Sequence, residues 1–198
     1  MPPPELLDDS ADFRRTLRRQ HLAARSARGG ADHAAASAAI VGHLRRHFAG
    51  HPPSSLGFCL PVRGECDLMP LIHELAAAGW SLCVPVIATT GQAMVFRHWT
   101  ASAPLIADPH GIPVPATFTV APPAWLLVPV VAIDAAGFRL GYGGGYFDRT
   151  LAAGATVGLR PITLGVGFAA ARVADIRPQP HDVPLDAWAC ETGIATFA

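Results

Sequence analysis

The sequence contains no lysine. All of its Lys+Arg charge is therefore arginine, which rules out a Schiff-base lysine and a lysine anchor for phosphate. Formal net charge is +0, so no excess of positive charge marks a non-specific binder of nucleic acid or membrane surfaces. The four cysteines, Cys59, Cys66, Cys83 and Cys190, contain no C-x-x-C pair, so zinc spacing is missing. Cys59 and Cys83 sit in apolar runs, where a buried free thiol is the usual case. No stretch approaches the roughly 20 apolar residues that cross a bilayer, and no N-terminal segment joins positive charge to a long apolar run. A cytoplasmic protein with reduced thiols is expected, with no nucleic-acid or membrane partner.

What is present suits one globular domain. A chain of 198 residues, 51% of them hydrophobic, can bury about 70% of its unfolded surface. Residues 1–9 are proline-rich and acidic and read as a flexible tail; residues 10–198 read as a single domain. Ser10 or Asp12 is placed to cap a helix that runs to about Ala27, and Gly29-Gly30 ends it. Arg14 and Arg18, at i and i+4, project from one face of that helix, toward an anion or as a solvated basic face. A second helix is expected from Asp32 to Phe48, with Ile40, Leu44 and Phe48 inward.

Leu56 to Val62 reads as a strand, Leu68, Leu71, Ile72 and Leu75 as a short helix capped by Asp67, and Ser81 to Ile87 as the next strand. Such a unit implies a parallel pair joined by a right-handed crossover. Glu65 lies between strand and helix, where open α/β sheets place ligands; a loop glutamate facing water fits the same position. Met94 to Trp99 reads as a further strand, and the proline-rich span 101–123 as a long loop. Ile162 to Phe168 is an apolar strand, Val173 to Ile176 a brief helical turn, and Ala187 to Ala189 and Gly193 to Thr196 short terminal strands. Alternating strands and helices predict an α/β fold, a three-layer α/β/α sandwich with a mostly parallel central sheet.

The stretch richest in chemistry is Gly137-Phe138-Arg139-Leu140-Gly141-Tyr142-Gly143-Gly144-Gly145-Tyr146-Phe147-Asp148-Arg149. The apolar run Ala124 to Ile133 leads in, and a helix from about Gly145 to Ala153 leads out. Glycines permit positive φ and leave backbone N–H groups open to an anion. The helix start adds about half a unit of positive charge. Arg139 and Arg149 flank the loop, and Asp148 offers a hard oxygen for a divalent ion. The glycines by themselves suit a tight turn equally well.

The segment Arg139-Leu140-Gly141-x-Gly143-x-Gly145-Tyr146-Phe147-Asp148 resembles the R-L-G-x-G-x-G-Y-Y-D pattern of the 5-formyltetrahydrofolate cyclo-ligase (methenyltetrahydrofolate synthetase) family. Further matches follow in the family's order and extend the resemblance to nearly the whole chain: Leu17-Arg18, Glu65 with Asp67, Met94-x-Phe96, Val128-Pro129 with Asp134, Gly165-x-Gly167-Phe168, and His181-Asp182 with Asp186. The resemblance implies a sugar-isomerase/CoA-transferase-like fold, a monomer, and an enzyme that cyclises 5-formyltetrahydrofolate to 5,10-methenyltetrahydrofolate with ATP and Mg²⁺. The folate substrate would come with or without a polyglutamate tail. Carried over, Arg14, Arg18 and the loop residues Arg139, Leu140, Gly141, Tyr142, Gly143, Gly144, Gly145 and Tyr146 would bind ATP. Asp148 and Asp182 would hold the metal, Glu65, Arg139 and Tyr146 would be catalytic, and Glu65, Met94, Trp99 and Tyr146 would meet the folate. Met94, Phe96 and Trp99 equally suit core packing. Many relatives carry lysine at Arg14, a cation at Gly144, a tyrosine at Phe147, and an acidic or amide residue at Val114 before the proline. The other readings are a non-catalytic relative that binds nucleotide, folate or RNA, and a different enzyme on the same fold.

Overall fold

Alternation of apolar side chains along the strands decides which helix covers which face of the sheet. The computed structural model describes residues 4–197, with side chains from residue 10 onward. Helix α1 spans Pro4–Ser26, an earlier start than Ser10 or Asp12 would set. Of the tail expected over 1–9, residues 1–3 lie outside the described residues. Helix α2, Gly30–Ala49, follows after the extended Gly29. Strand β1 is Ser55–Gly57, helix α3 Met69–Ala77 and strand β2 Ser81–Val86. β1 and β2 pair in parallel, with Leu56 opposite Leu82. The β1 ladder is shorter than the run Leu56 to Val62 implies. Beyond Phe58 the chain leaves the sheet, and Pro61 has no N–H with which to continue it. The N-cap of α3 is Leu68 and not the expected Asp67; the Asp67 carboxylate, one residue earlier, accepts the Met69 N–H at 3.0 Å.

Strand β3, Val95–His98, runs antiparallel to β2. The proline-rich span is not a plain loop. It holds strands β4, Leu105–Ala107, and β5, Pro113–Pro115, which pair with each other, and β6, Thr119–Val120, which pairs with β3. Asp108 closes the β4–β5 turn by accepting the N–H groups of His110 and Ile112. β4 and β5 belong to a two-stranded sheet of their own, where prolines are tolerated because both strands are edges. Strand β7 is Trp125–Pro129, and β8, Ala132–Ile133, pairs with β9, Arg139–Leu140. Helix α4, Tyr146–Thr156, and strand β10, Ile162–Val166, come next. The short helical turn falls at Ala169–Ala171, not at Val173 to Ile176, because it caps the end of β10. β11, Ala187–Cys190, and β12, Gly193–Thr196, close the chain as expected.

The main sheet has the order β12-β11-β10-β7-β1-β2-β3-β6, parallel from β11 to β2 and antiparallel outside them. Leu82, Val84, Leu127, Leu164 and Ala189 face α2 and α3, against Ile40, Leu44, Phe48 and Ile72. Cys83, Leu126, Val128 and Trp188 face the other way, against Leu151 of α4. Each fully buried leucine or isoleucine contributes roughly 1.5–3 kcal/mol. The three expected layers are thus present. Helix α1 packs Leu17 against Ala132, Leu140 and Ile176, beyond the carboxyl end of β7. β1 is followed in space by β2 on one side and β7 on the other, so a crevice opens beyond their carboxyl ends.

Candidate active site

Two loops meet at that crevice: the glycine-rich loop between β9 and α4, and the loop after β1 that carries Glu65. Gly143 and Gly145 have φ of +100° and +64°, which only glycine adopts without strain. Gly145 is the left-handed residue from which α4 starts, so the loop's N–H groups and the helix N-terminus lie side by side. Three arginines fasten the loop. Arg18 Nε donates to the Gly141 carbonyl at 2.7 Å, and Arg149 Nη2 donates to the Gly144 carbonyl at 2.5 Å. Arg139, only 6% exposed, donates to the Val183 carbonyl at 2.7 Å and pairs with Asp148 at 3.2 Å. Burial pulls the Arg139 guanidinium below its ordinary range, while Asp148 and Asp182 pull it back.

The two predicted metal carboxylates lie in this same network. Asp148 Oδ1 accepts the Val183 N–H at 3.0 Å as well as the Arg139 ion pair. Asp182 takes Arg14 in a two-pronged pair, at 2.5 and 3.1 Å, and its Oδ2 also accepts the Gln179 N–H at 2.7 Å. Burial opposes ionisation of Asp182, but Arg14, the Gln179 amide and His181 outweigh it and hold the carboxyl below the usual range. Among the described residues no three His, Cys, Asp or Glu side chains gather into a metal cluster. Two carboxylates beside a glycine-rich loop and a helix N-terminus are chemically suited to Mg²⁺, which keeps waters and takes substrate oxygens for the rest.

Across the crevice Glu65 is 8% exposed. Its Oε1 accepts the Tyr142 hydroxyl at 2.6 Å and its Oε2 accepts the Val62 N–H at 3.1 Å. Burial pushes the carboxyl above the ordinary glutamate range, against the pull of Tyr142, the Val62 amide, Arg25 and Arg63. A cleft of about 240 Å³ opens beside it, lined by His21, Arg25, Arg28, Cys66, Val130 and Phe168 among others. Burial pushes the Cys66 thiol up to about 12, so it is no nucleophile at neutral pH.

The remaining predicted residues fall in two groups. Tyr146 stands at the crevice mouth, its hydroxyl 2.7 Å from His110 Nε2 and 3.4 Å from the Gly91 N–H that donates to it. Leu140 is buried beneath the loop with Leu17 of α1 packed near it. A Cβ added at Gly144 would lie 2.7 Å from the Tyr146 ring, so a cation there must displace that ring. Met94 and Phe96 line a second cleft, of about 280 Å³, on the α4 side of the sheet. Trp99 does not reach the crevice: it is buried edge-on against Phe58, in the core under α3.

Sequence spacing held one signal that the pair Arg14 and Arg18 only began. Arg14, Arg18, His21, Arg25 and Arg28 recur at steps of four, three, four and three, which is one face of a helix. In the structure that stripe runs along the crevice, from Asp182 past Gly141 to the Glu65 cleft. His110 had no such signal, since the hairpin that presents it was hidden among prolines.

In sequence and in fold the chain is similar to known proteins. The 5-formyltetrahydrofolate cyclo-ligase of Escherichia coli (strain K12) is 29% identical over 134 residues, 65% of this chain and 72% of its own length. That of Mycolicibacterium smegmatis is 29% identical over 159 residues, 72% of this chain and 77% of its own. The fold is that of the 5,10-methenyltetrahydrofolate synthetase of Aquifex aeolicus, with a TM-score of 0.78 and 24% identity over 93% of this chain and 92% of that one. The synthetase of Mycoplasma pneumoniae superposes with a TM-score of 0.75 and 20% identity, over 90% of this chain and 98% of that one. Residues 10–191 match the model of the 5-formyltetrahydrofolate cyclo-ligase family, and this chain belongs to that family of ligases.

Proposed function

We propose that this chain cyclises 5-formyltetrahydrofolate to 5,10-methenyltetrahydrofolate at the expense of ATP, with Mg²⁺, releasing ADP and phosphate. The observation that carries the proposal is a buried carboxylate, Glu65, joined directly to the tip of an arginine-fastened glycine loop. A phosphate site and a folate site would then share one crevice, as the reaction requires.

The formyl group on N5 is an amide, and its oxygen is a poor leaving group. Moving the γ-phosphoryl of ATP onto that oxygen releases ADP and makes a good one. N10 then attacks the formyl carbon, the carbon–oxygen bond breaks, phosphate departs, and N10 loses its proton. Phosphoryl transfer asks a protein for positioning and charge neutralisation. Loop N–H groups, the start of α4 and the guanidiniums of Arg14 and Arg18 supply both. Asp148 and Asp182 would hold Mg²⁺, whose charge offsets that of the phosphate oxygens. Arg14 bonds both Asp182 oxygens; a nucleotide phosphate that draws Arg14 away would leave them for the metal. Arg139 keeps Asp148 in place from beneath. Glu65 would orient the folate and accept a proton as the ring closes. Tyr146 would lie beside the formyl end of the substrate. Trp99 is excluded from that contact by its burial in the core, and Met94 serves the second cleft.

The test is the spectrophotometric appearance of methenyltetrahydrofolate from 5-formyltetrahydrofolate. Product that needs both ATP and Mg²⁺ supports the reading. Equal product without ATP, or folate binding with no product under any condition, would sink it.

A further inference from the structure

Tyr142 joins the two loops directly, and its position in the chain gives it no packing task. It sits between Gly141 and Gly143 and is 39% exposed, so it fills no core. Its hydroxyl donates to Glu65 Oε1 at 2.6 Å and accepts a short hydrogen bond from Arg25 Nη2. Two guanidiniums lie near its ring, Arg25 at 5.6 Å and Arg63 at 5.2 Å from the centroid. Arg25 Nε also donates to the Arg63 carbonyl at 3.1 Å. The segment it holds is a left-handed turn, with φ of 50° at Arg63 and 71° at Gly64. A non-glycine residue in that region is held there by its surroundings. Helix α1, the glycine loop and the Glu65 loop are therefore clasped at one point.

We propose that Tyr142 is the positioning residue for Glu65. Its hydroxyl fixes where the carboxylate points and how readily it ionises, and it ties both to the shape of the glycine loop. The proposal rests on the cyclo-ligase reading for its kinetic consequence, but not for its structural one.

The electrostatics give the direction. The Glu65 carboxylate has two direct hydrogen-bond partners among the described residues, and both are neutral donors. His21 and Arg25 face the cleft from α1, Arg28 faces it from the turn after α1, and His33 of α2 reaches the Glu65 carbonyl at 2.9 Å. Arg63, Cys59 and Cys66 are its neighbours on its own segment. The hydroxyl of Tyr142 is the group that stabilises the ionised carboxylate by contact and that a single atom's removal deletes. Taking it away leaves burial less opposed, so the carboxyl must hold its proton to higher pH.

Tyr142→Phe keeps the ring beside the arginines and removes only that hydroxyl. The chain has two tyrosines, so labelling tyrosine Cζ with ¹³C gives two resonances, and the Phe variant identifies which is Tyr142. In the full-length, ligand-free protein the Tyr142 resonance is expected to titrate with Glu65, and Glu65→Gln is expected to abolish that titration. In turnover, Tyr142→Phe is expected to move the acid limb of kcat/KM for the folate upward by about one pH unit. A Tyr142 resonance indifferent to pH and to Glu65→Gln overturns the proposal. So does an acid limb in Tyr142→Phe that superposes on the parent's. If the parent chain makes no methenyltetrahydrofolate at all, the cyclo-ligase reading fails, and the ligand-free titration alone still decides the role of Tyr142.

Discussion

The glycine-rich loop and the Glu65 loop face each other across one crevice, and they handle buried charge in opposite ways. On the glycine side each guanidinium has a close partner: Arg14 has Asp182, Arg139 has Asp148, and Arg18 has the Gly141 carbonyl. On the other side Glu65 is held by a hydroxyl and an amide, and burial wins, so its carboxyl titrates above the ordinary range. Paired charges make a cradle that, on the proposed reading, would receive anionic phosphates. A carboxylate held by neutral donors is left free to trade a proton or to bond a polar heterocycle. The difference predicts that substitutions on the two sides fail differently, in stability on one and in chemistry on the other.

The largest effect is expected at Arg139. Arg139→Ala leaves Asp148 without its cation in a buried site and should cost about 3–5 kcal/mol of stability, read by urea unfolding. A loss under about 1 kcal/mol would show that the cradle is not held by that pair. Glu65→Gln should instead fold normally and lose about a hundredfold or more in kcat/KM for the folate. Stability lost at Glu65 on the scale expected for Arg139 would erase the contrast between the loops.

Gly144 gives a smaller test. A lysine there restores a cation common among relatives, but its Cβ collides with the Tyr146 ring at 2.7 Å. Gly144→Lys should therefore weaken ATP binding, by roughly fivefold or more in a calorimetric titration. Tighter binding would mean that the ring moves aside without loss.

The smallest effect is in the pH dependence of stability. Folded Glu65 holds its proton more tightly than it does in the unfolded chain. Stability from this group is complete at low pH and falls as pH rises from the ordinary glutamate range through the raised value. Across that window the melting temperature of the parent should fall relative to that of Glu65→Gln. A parent melting temperature that rises relative to the variant's would reverse the sign assigned to Glu65.

The two loops also differ in how far they were legible in the sequence. The glycine loop is local: strand, glycines, helix and flanking arginines lie within a few residues, and strand alternation with short helices gave the layers. The Glu65 side is made by distance. Tyr142 and Glu65 are 77 residues apart, and their contact exists only once β1 and β7 are neighbours. The basic stripe of α1 was visible as spacing, yet only Arg14 and Arg18 stood out, because Arg25 and Arg28 find their purpose in loops far along the chain. Trp99 and Met94 show the limit of aromatic and methionine patterns. Core and ligand faces both favour large apolar side chains, and only the side of the sheet they face separates them. The hairpin β4–β5, which brings His110 to Tyr146, was masked because prolines argue against strands and edge strands tolerate them.

The central claim is that the phosphoryl group activates the formyl oxygen within this crevice. Turnover of 5-formyltetrahydrofolate carrying ¹⁸O in its formyl group tests that claim most directly. The released phosphate is predicted to carry the ¹⁸O. Unlabelled phosphate, formed alongside methenyltetrahydrofolate, would contradict it.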